Sequence, residues 1–243
     1  MLVFVHGYNN TFSQGLYRLA QVATDFETKE TLAYYSWPST AKPLAYVADR
    51  DRTVLSRSHF EAFMDQVAAT NPDEITVVAH SMGSHLVMET MRGVALSDRR
   101  KLDRLFDQVV LISPDIDVEV FHSQLSDIGK LPAPLWIMGS EHDQALALSA
   151  RLTGETRRLG NEGSTVDFSE FDVVYVDVTA LDDGERGNHS TVLTSEKSID
   201  LFGDLYGLYE SFSDDPSARI GVIPGAALRL NNSVKVTVGR GGF

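Results

Sequence analysis

The sequence predicts an α/β fold with a mostly parallel central sheet and helices on both faces, and three observations carry that prediction. Short apolar runs rich in β-branched residues recur along most of the chain. Segments with apolar residues at helical spacing separate most of them. The runs are nearly continuous rather than alternating, as strands covered on both faces are.

The elements follow in order. Leu2 to Val5 is a strand, and Leu16, Leu19, Ala20, Ala23 and Phe26 then share one helical face. A second strand runs from Leu32 to Trp37. The stretch from Trp37 to Ser58 is long for a connection and contains Trp37, Pro38, Pro43, Leu44, Tyr46 and Val47. It reads either as a lid or pocket wall or as a surface excursion pinned by pairs among Asp49, Arg50, Asp51 and Arg52. Ser58-x-x-Glu61 is a capping signature for a helix that turns Phe60, Phe63, Met64, Val67 and Ala68 inward. Asn71-Pro72-Asp73 stops that helix before the strand Ile75 to Ala79. The next helical stripe is Leu86, Val87, Thr90, Met91 and Val94. Three further strands span Val109 to Ile112, Leu135 to Met138 and Val173 to Val178. A polar loop from Asp182 to Asn188 precedes a helical candidate from Ser195 to Tyr209. Residues 1–210 thus read as one domain. Residues 211–243 read as a C-terminal extension, with a hairpin about the Asn231-Asn232 turn signal and a disordered end from Gly239.

Composition bounds the function. With 43% hydrophobic and 23% charged residues in 243, the chain is of ordinary globular type. A formal charge of −13 repels phosphate backbones and anionic lipid, which argues against nucleic acid as a partner. The absence of cysteine excludes disulfides, thiolate nucleophiles and Cys-ligated zinc. No apolar run reaches the roughly 18 residues of a membrane span, and no basic-then-apolar leader opens the chain. As written it reads as soluble and cytoplasmic. A strand beginning almost at the first residue also fits a trimmed N-terminus, and then an exported or periplasmic protein. Oligomeric state is not legible.

The strongest chemical signal is the strand Ile75-Thr76-Val77-Val78-Ala79 running into His80-Ser81-Met82-Gly83 and an amphipathic helix. This is the strand, sharp turn and helix of a nucleophile elbow, which needs small residues two before and two after the serine. Gly83 fits the G-x-S-x-G pattern, and Ala79 departs from it by one methyl group. Helix capping by Ser81 is the plain alternative. A serine hydroxyl needs an imidazole to take its proton, and the imidazole needs an acid to hold its tautomer. In the chain order serine, acid, histidine, Asp143 follows the strand Leu135 to Met138, and His189 lies in the loop after the last strand. Asp115 and Asp117, after the strand one earlier, compete for the acid's place, and Glu141 is the next contender. His6, His59, His80, His85, His122 and His142 lie elsewhere in the pattern. For an oxyanion hole, the Met82 N–H at the helix start and the Tyr8 N–H after His6-Gly7 are the candidate donors.

Taken together, Phe4-Val5-His6-Gly7-Tyr8-Asn9-Asn10-Thr11-Phe12, Tyr35-Ser36-Trp37-Pro38-Ser39, Ala79-His80-Ser81-Met82-Gly83, Pro114-Asp115-Ile116-Asp117 and Asn188-His189-Ser190 resemble a family. It is the group of bacterial, esterase-like α/β-hydrolases catalogued as domain of unknown function nine hundred. The resemblance implies the α/β-hydrolase fold and supports Ser81 and His189 as catalytic, with Asp143 beside them. Members carry further strands before the segment matching Leu2, so it also implies a chain that lacks the first strands of the fold.

The expected function is therefore a serine hydrolase that cleaves small carboxylic esters through an acyl-enzyme. Thioesterase and acyltransferase activities on the same triad, and a binding protein that keeps the fold without turnover, are the other readings. No cofactor or metal is expected: His80, His85 and Glu89 stand at helical spacing, but His85 and Glu89 read as helix-surface residues.

Overall fold

The computed structural model describes residues 1–25, 28–42, 44–154 and 157–179, and the backbone of 227–230 and 234–238. Six parallel strands form the body of one sheet: β1 (Leu2–Val5), β2 (Leu32–Tyr35), β3 (Thr76–His80), β4 (Gln108–Ile112), β5 (Leu135–Gly139) and β6 (Val173–Asp177). Their order is β2-β1-β3-β4-β5-β6. Two antiparallel strands, β7 (Ala227–Leu230) and β8 (Val234–Val238), extend the sheet, with β8 against β6 and β7 outermost. The helices are α1 (Phe12–Asp25), α2 (Tyr46–Leu55), α3 (Arg57–Ala69), α4 (Met82–Ser97), α5 (Arg99–Leu105), α6 (Val118–Ile128), α7 (Gln144–Thr153) and the short α8 (Leu159–Glu162). The six strands read from sequence are the six parallel strands of the fold.

Strand order decides where the site lies. The chain steps from β1 outward to β2, passes back to β3 on the other side of β1, and then proceeds one way to β6. Right-handed crossovers on opposite sides of that reversal place their helices on opposite faces of the sheet. Because side chains alternate along a strand, Val3, Val5, Val77, Ala79, Val109 and Leu111 face α3 to α6. Leu2, Phe4, Val78, Val110 and Ile112 face Leu19 and Val22 of α1. The reversal falls between β1 and β3. The crevice beyond the carboxyl ends of two such strands is where open α/β sheets hold ligands.

Several sequence readings are corrected. On α1 the buried positions are Gly15, Leu19 and Val22, while Leu16 and Ala20 face outward. Gly15 lets the helix lie against the Tyr34 ring, so the contact rotates the inward face by one position. The start of α1 carries a box the sequence reading misses. The Thr11 N–H donates to Gln14 Oε1 at 2.8 Å, and the Gln14 N–H donates to Thr11 Oγ1 at 3.3 Å. Ser58-x-x-Glu61 is no cap. Helix α2 leads into α3 through Ser56 in helical conformation (φ −81°, ψ −7°), so the Ser58 turn has no exposed amides to satisfy, and Glu61 pairs instead with Lys101 at 2.7 Å. The Trp37 to Ser58 stretch is not a plain loop, since α2 occupies half of it.

Candidate active site

Residue by residue, the carboxyl ends of β1 and β3 are built around Ser81. The strand β3 ends at His80 and α4 begins at Met82, so the turn is made by one residue, and Ser81 adopts φ 52° and ψ −123°. An L-residue enters that region at a cost of about 1–3 kcal/mol and stays only where its surroundings fix it. Here they do. The Ser81 N–H donates to the Ile112 carbonyl at 2.9 Å, and the Ser81 carbonyl accepts from the Ser84 and Asp115 N–H groups at 3.0 and 3.3 Å. A methyl group on Gly83 would run into the His6 carbonyl and come within 2.9 Å of the Val5 carbonyl, and one on Gly7 would lie 2.9 Å from Ser81 Cβ. The two glycines therefore let β1, its following loop and the elbow close on one another.

The loop after β1 is held from several sides. Trp37 Nε1 donates to the His6 carbonyl at 2.7 Å, and the two rings stack with centroids 5.0 Å apart. Asn10 Nδ2 donates to the Gly7 and Tyr8 carbonyls at 3.3 and 2.8 Å. The Tyr8 ring packs edge-on against Tyr46 of α2, and its hydroxyl donates to the Lys42 carbonyl at 3.0 Å. Burial holds the His6 imidazole below the usual histidine range, against the raising effect of its contacts with the Gly7 and Trp37 carbonyls.

The stretch around α2 is pinned by a buried carboxylate. Asp49 is fully buried and accepts from Ser39 Oγ at 2.7 Å, the Thr40 N–H at 2.9 Å, Thr40 Oγ1 at 3.0 Å and Arg52 at 3.1 Å. Of the four charged residues read as pinning this segment, Asp49 is the anchor.

The candidate acids differ in their surroundings. Asp115 is enclosed in a polar cluster: Tyr46 Oη donates to its Oδ2 at 2.8 Å, Ser149 Oγ donates to its Oδ1 at 2.8 Å, and Arg158 Nε lies 3.3 Å from that Oδ1. Burial, reinforced by the neighbouring Asp115 charge, pushes the Tyr46 hydroxyl well above the usual tyrosine range. Asp117 caps α6 through the Glu119 and Val120 N–H groups. Asp143 is fully buried beyond the end of β5 and caps α7, its Oδ1 accepting from the Ala145 and Leu146 N–H groups at 3.1 Å. Glu141 accepts from Ser164 Oγ at 2.8 Å.

His85, read as a helix-surface residue, is buried, with Nδ1 3.2 Å from Thr53 Oγ1. Burial lowers its affinity for a proton, against the raising effect of the Glu89 and Asp115 charges and with the Arg50 and Arg158 charges. Glu89 pairs with Arg57 and Arg92 and accepts from Gln124. His189 lies outside the described residues, as do the polar loop from Asp182, the helical candidate from Ser195 and the boundary at 210.

A strained serine at a strand-to-helix turn, at the reversal point of a parallel sheet, defines the class of α/β-hydrolase-fold proteins. The chain belongs to the family described as alpha/beta hydrolase of unknown function (DUF900), whose model matches residues 1–204. No curated protein sequence matches it. Among solved structures it is similar to esterase B from Lactobacillus rhamnosis, determined with a tributyrin phosphonate, at TM-score 0.51 and 11% identity over 88% of this chain and 76% of that one. It is also similar to a predicted CIB-like hydrolase from Thermoplasma acidophilum, at TM-score 0.47 and 14% identity over 84% of each chain. Among the described residues no helix is long and apolar enough to cross a membrane.

Proposed function

We propose that this protein hydrolyses small carboxylic esters through an acyl-enzyme on Ser81, with His189 as general base and Asp143 as the acid that orients it. The backbone of Ser81 carries this reading. A serine that merely caps a helix has extended φ and ψ and accepts a hydrogen bond from the first turn with its side chain. Ser81 has φ 52° and makes no side-chain capping bond, which supports the elbow reading over the cap.

In the mechanism, Ser81 Oγ attacks the ester carbonyl as its proton passes to His189. The tetrahedral oxyanion collapses to expel the alcohol, which takes that proton, and water then cleaves the acyl-enzyme by the same path in reverse roles. Met82 opens α4, so its N–H has no partner four residues back and suits an oxyanion donor. The Tyr8 N–H is the second donor, and the bonds from Asn10 and Trp37 that fix its loop support that role. Asp143 follows a strand two places from β3, about 10 Å across the sheet at ~4.8 Å per strand, a gap that suits an intervening imidazole. Asp115 already serves Tyr46, Ser149 and Arg158.

The test is turnover of p-nitrophenyl acetate and butyrate, with labelling by a fluorophosphonate probe. Ser81→Ala is expected to lose labelling and roughly 10⁶ in kcat while its thermal midpoint stays near the parent's. Labelling or substantial ester turnover surviving in that variant would overturn the assignment.

A further inference from the structure

Beside the elbow, on the α1 face of the sheet, lies a pocket of about 210 Å³ whose walls include Phe4, His6, Gly7, Tyr8, Arg18 and His80. It adjoins the reaction centre: a methyl group on Gly7 would lie 2.9 Å from Ser81 Cβ, His80 precedes the serine, and Tyr8 is the proposed oxyanion donor. Among the described residues of its lining, Arg18 is the permanently charged one. The Arg18 guanidinium is half-buried, and Nη1 donates to Gln21 Oε1 at 3.0 Å, one turn along α1. Among the described residues no carboxylate pairs with Arg18. The chain carries 34 acidic residues against 21 basic ones, so a half-buried cation with no acid beside it among the described residues is out of keeping with the composition.

We propose that Arg18 selects substrates, binding a carboxylate at the non-reacting end of a short ester, so that the preferred substrates are monoesters of small dicarboxylic acids or similar acid-bearing esters. This rests on the serine hydrolase reading and names the substrate class for the same site. Three features fit a carboxylate. Nη1 is engaged with Gln21, which leaves the Nε–Nη2 edge of the guanidinium for the planar, two-point pairing that arginine makes with carboxylates. One cationic group matches one negative charge, whereas a phosphate dianion would bring a second charge into a protein of net charge −13. At about 30 Å³ per water-sized group, the pocket has room for a short arm of a few heavy atoms. Asn10, which also lines the pocket, has its amide nitrogen committed to the Gly7 and Tyr8 carbonyls, so the charge recognition falls to Arg18.

The experiment compares kcat/KM for p-nitrophenyl butyrate and p-nitrophenyl hemiglutarate in the parent, Arg18→Met and Arg18→Lys proteins. Methionine keeps the bulk of the stem and removes the charge. Arg18→Met is expected to lose at least tenfold on the hemiglutarate and less than threefold on the butyrate, with Arg18→Lys between. Equal losses on both esters, or none on either, would overturn the proposal. Binding of monomethyl glutarate to the Ser81→Ala protein, followed by calorimetry, separates it from the hydrolase reading. The Ser81→Ala protein should bind the ligand, and adding Arg18→Met should weaken binding at least tenfold; inorganic phosphate should bind more weakly than the monoester. Binding that ignores Arg18, or tighter binding of phosphate, sinks the carboxylate pocket. Arg18-dependent binding without turnover of any ester keeps the pocket and overturns the serine hydrolase reading.

Discussion

Asp143 and Asp115 are both buried near the elbow, and the same conservative change should affect them in opposite ways. Asparagine caps a helix as well as aspartate does, so Asp143→Asn can keep accepting from the Ala145 and Leu146 N–H groups. What it loses is the negative charge that the proposed mechanism uses to hold the imidazole tautomer, a loss of roughly 10⁴ in kcat. Asp115→Asn instead removes the negative charge 3.3 Å from the buried Arg158 guanidinium. Removing one member of a buried pair costs about 3–5 kcal/mol, which in a domain of this size lowers the thermal midpoint by on the order of 10 °C. The expected outcome is an Asp143→Asn protein that melts normally and turns over poorly, and an Asp115→Asn protein that melts early. Calorimetry and ester assays on both check it. Near-normal turnover in Asp143→Asn would move the acid to another residue.

At the level of elements, the elbow depends on how closely β1, β3 and α4 meet. Gly83 sits where a methyl group would strike the His6 and Val5 carbonyls, which are backbone atoms that cannot swing aside. Gly83→Ala should therefore push β1 from α4, cost about 1–3 kcal/mol and impair turnover by disturbing the loop that carries Tyr8. At Gly93, in the same helix, a methyl group would meet nothing within 4 Å. Gly93→Ala should stabilise by about 0.5–1 kcal/mol, since a helix interior gains from losing glycine's freedom. Melting curves that move in the same direction would contradict this reading of the packing. The elbow and the strands are legible in the sequence because each rests on local pattern: an apolar run, a serine, a glycine two residues on. The inward face of α1 is not, because Gly15 gives no apolar signal and its contact with Tyr34 comes from β2. Nor is α2, where Asp49 looks like a surface charge and becomes the buried anchor of Ser39 and Thr40. Arg18 gives no signal either, because an arginine on a helix is ordinarily solvent-facing. Its position depends on the pocket between α1 and the ends of β1 and β3, which no spacing reveals.

For the whole molecule, buried histidines link stability to pH. Burial keeps the His6 and His85 imidazoles less basic in the folded chain than in the unfolded one, where a histidine titrates near about 6.5. Below that pH the unfolded chain takes up protons that the folded chain refuses, so stability is full above it and falls as pH drops toward the lowered folded values. Each such histidine contributes at most about 1.4 kcal/mol per pH unit, or roughly 3–6 °C in thermal midpoint for a chain of this length. The groups acting on His85 are Thr53 by contact and Glu89, Arg50, Asp115 and Arg158 by charge, and burial outweighs them. Self-repulsion from the net charge of −13 acts with the opposite sign, because mild acidification relieves it. That effect is nearly the same in a protein differing at one neutral buried side chain, so the difference between two curves isolates the histidine. His85→Gln keeps an amide to meet the Thr53 hydroxyl and cannot titrate. Its midpoint, measured by calorimetry from pH 7.5 to 5.5, should fall less steeply below about pH 6.5 than the parent's. Parallel curves would mean that His85 takes up its proton as readily in the folded chain as in the unfolded one, and that the α2–α4 crevice is open to water.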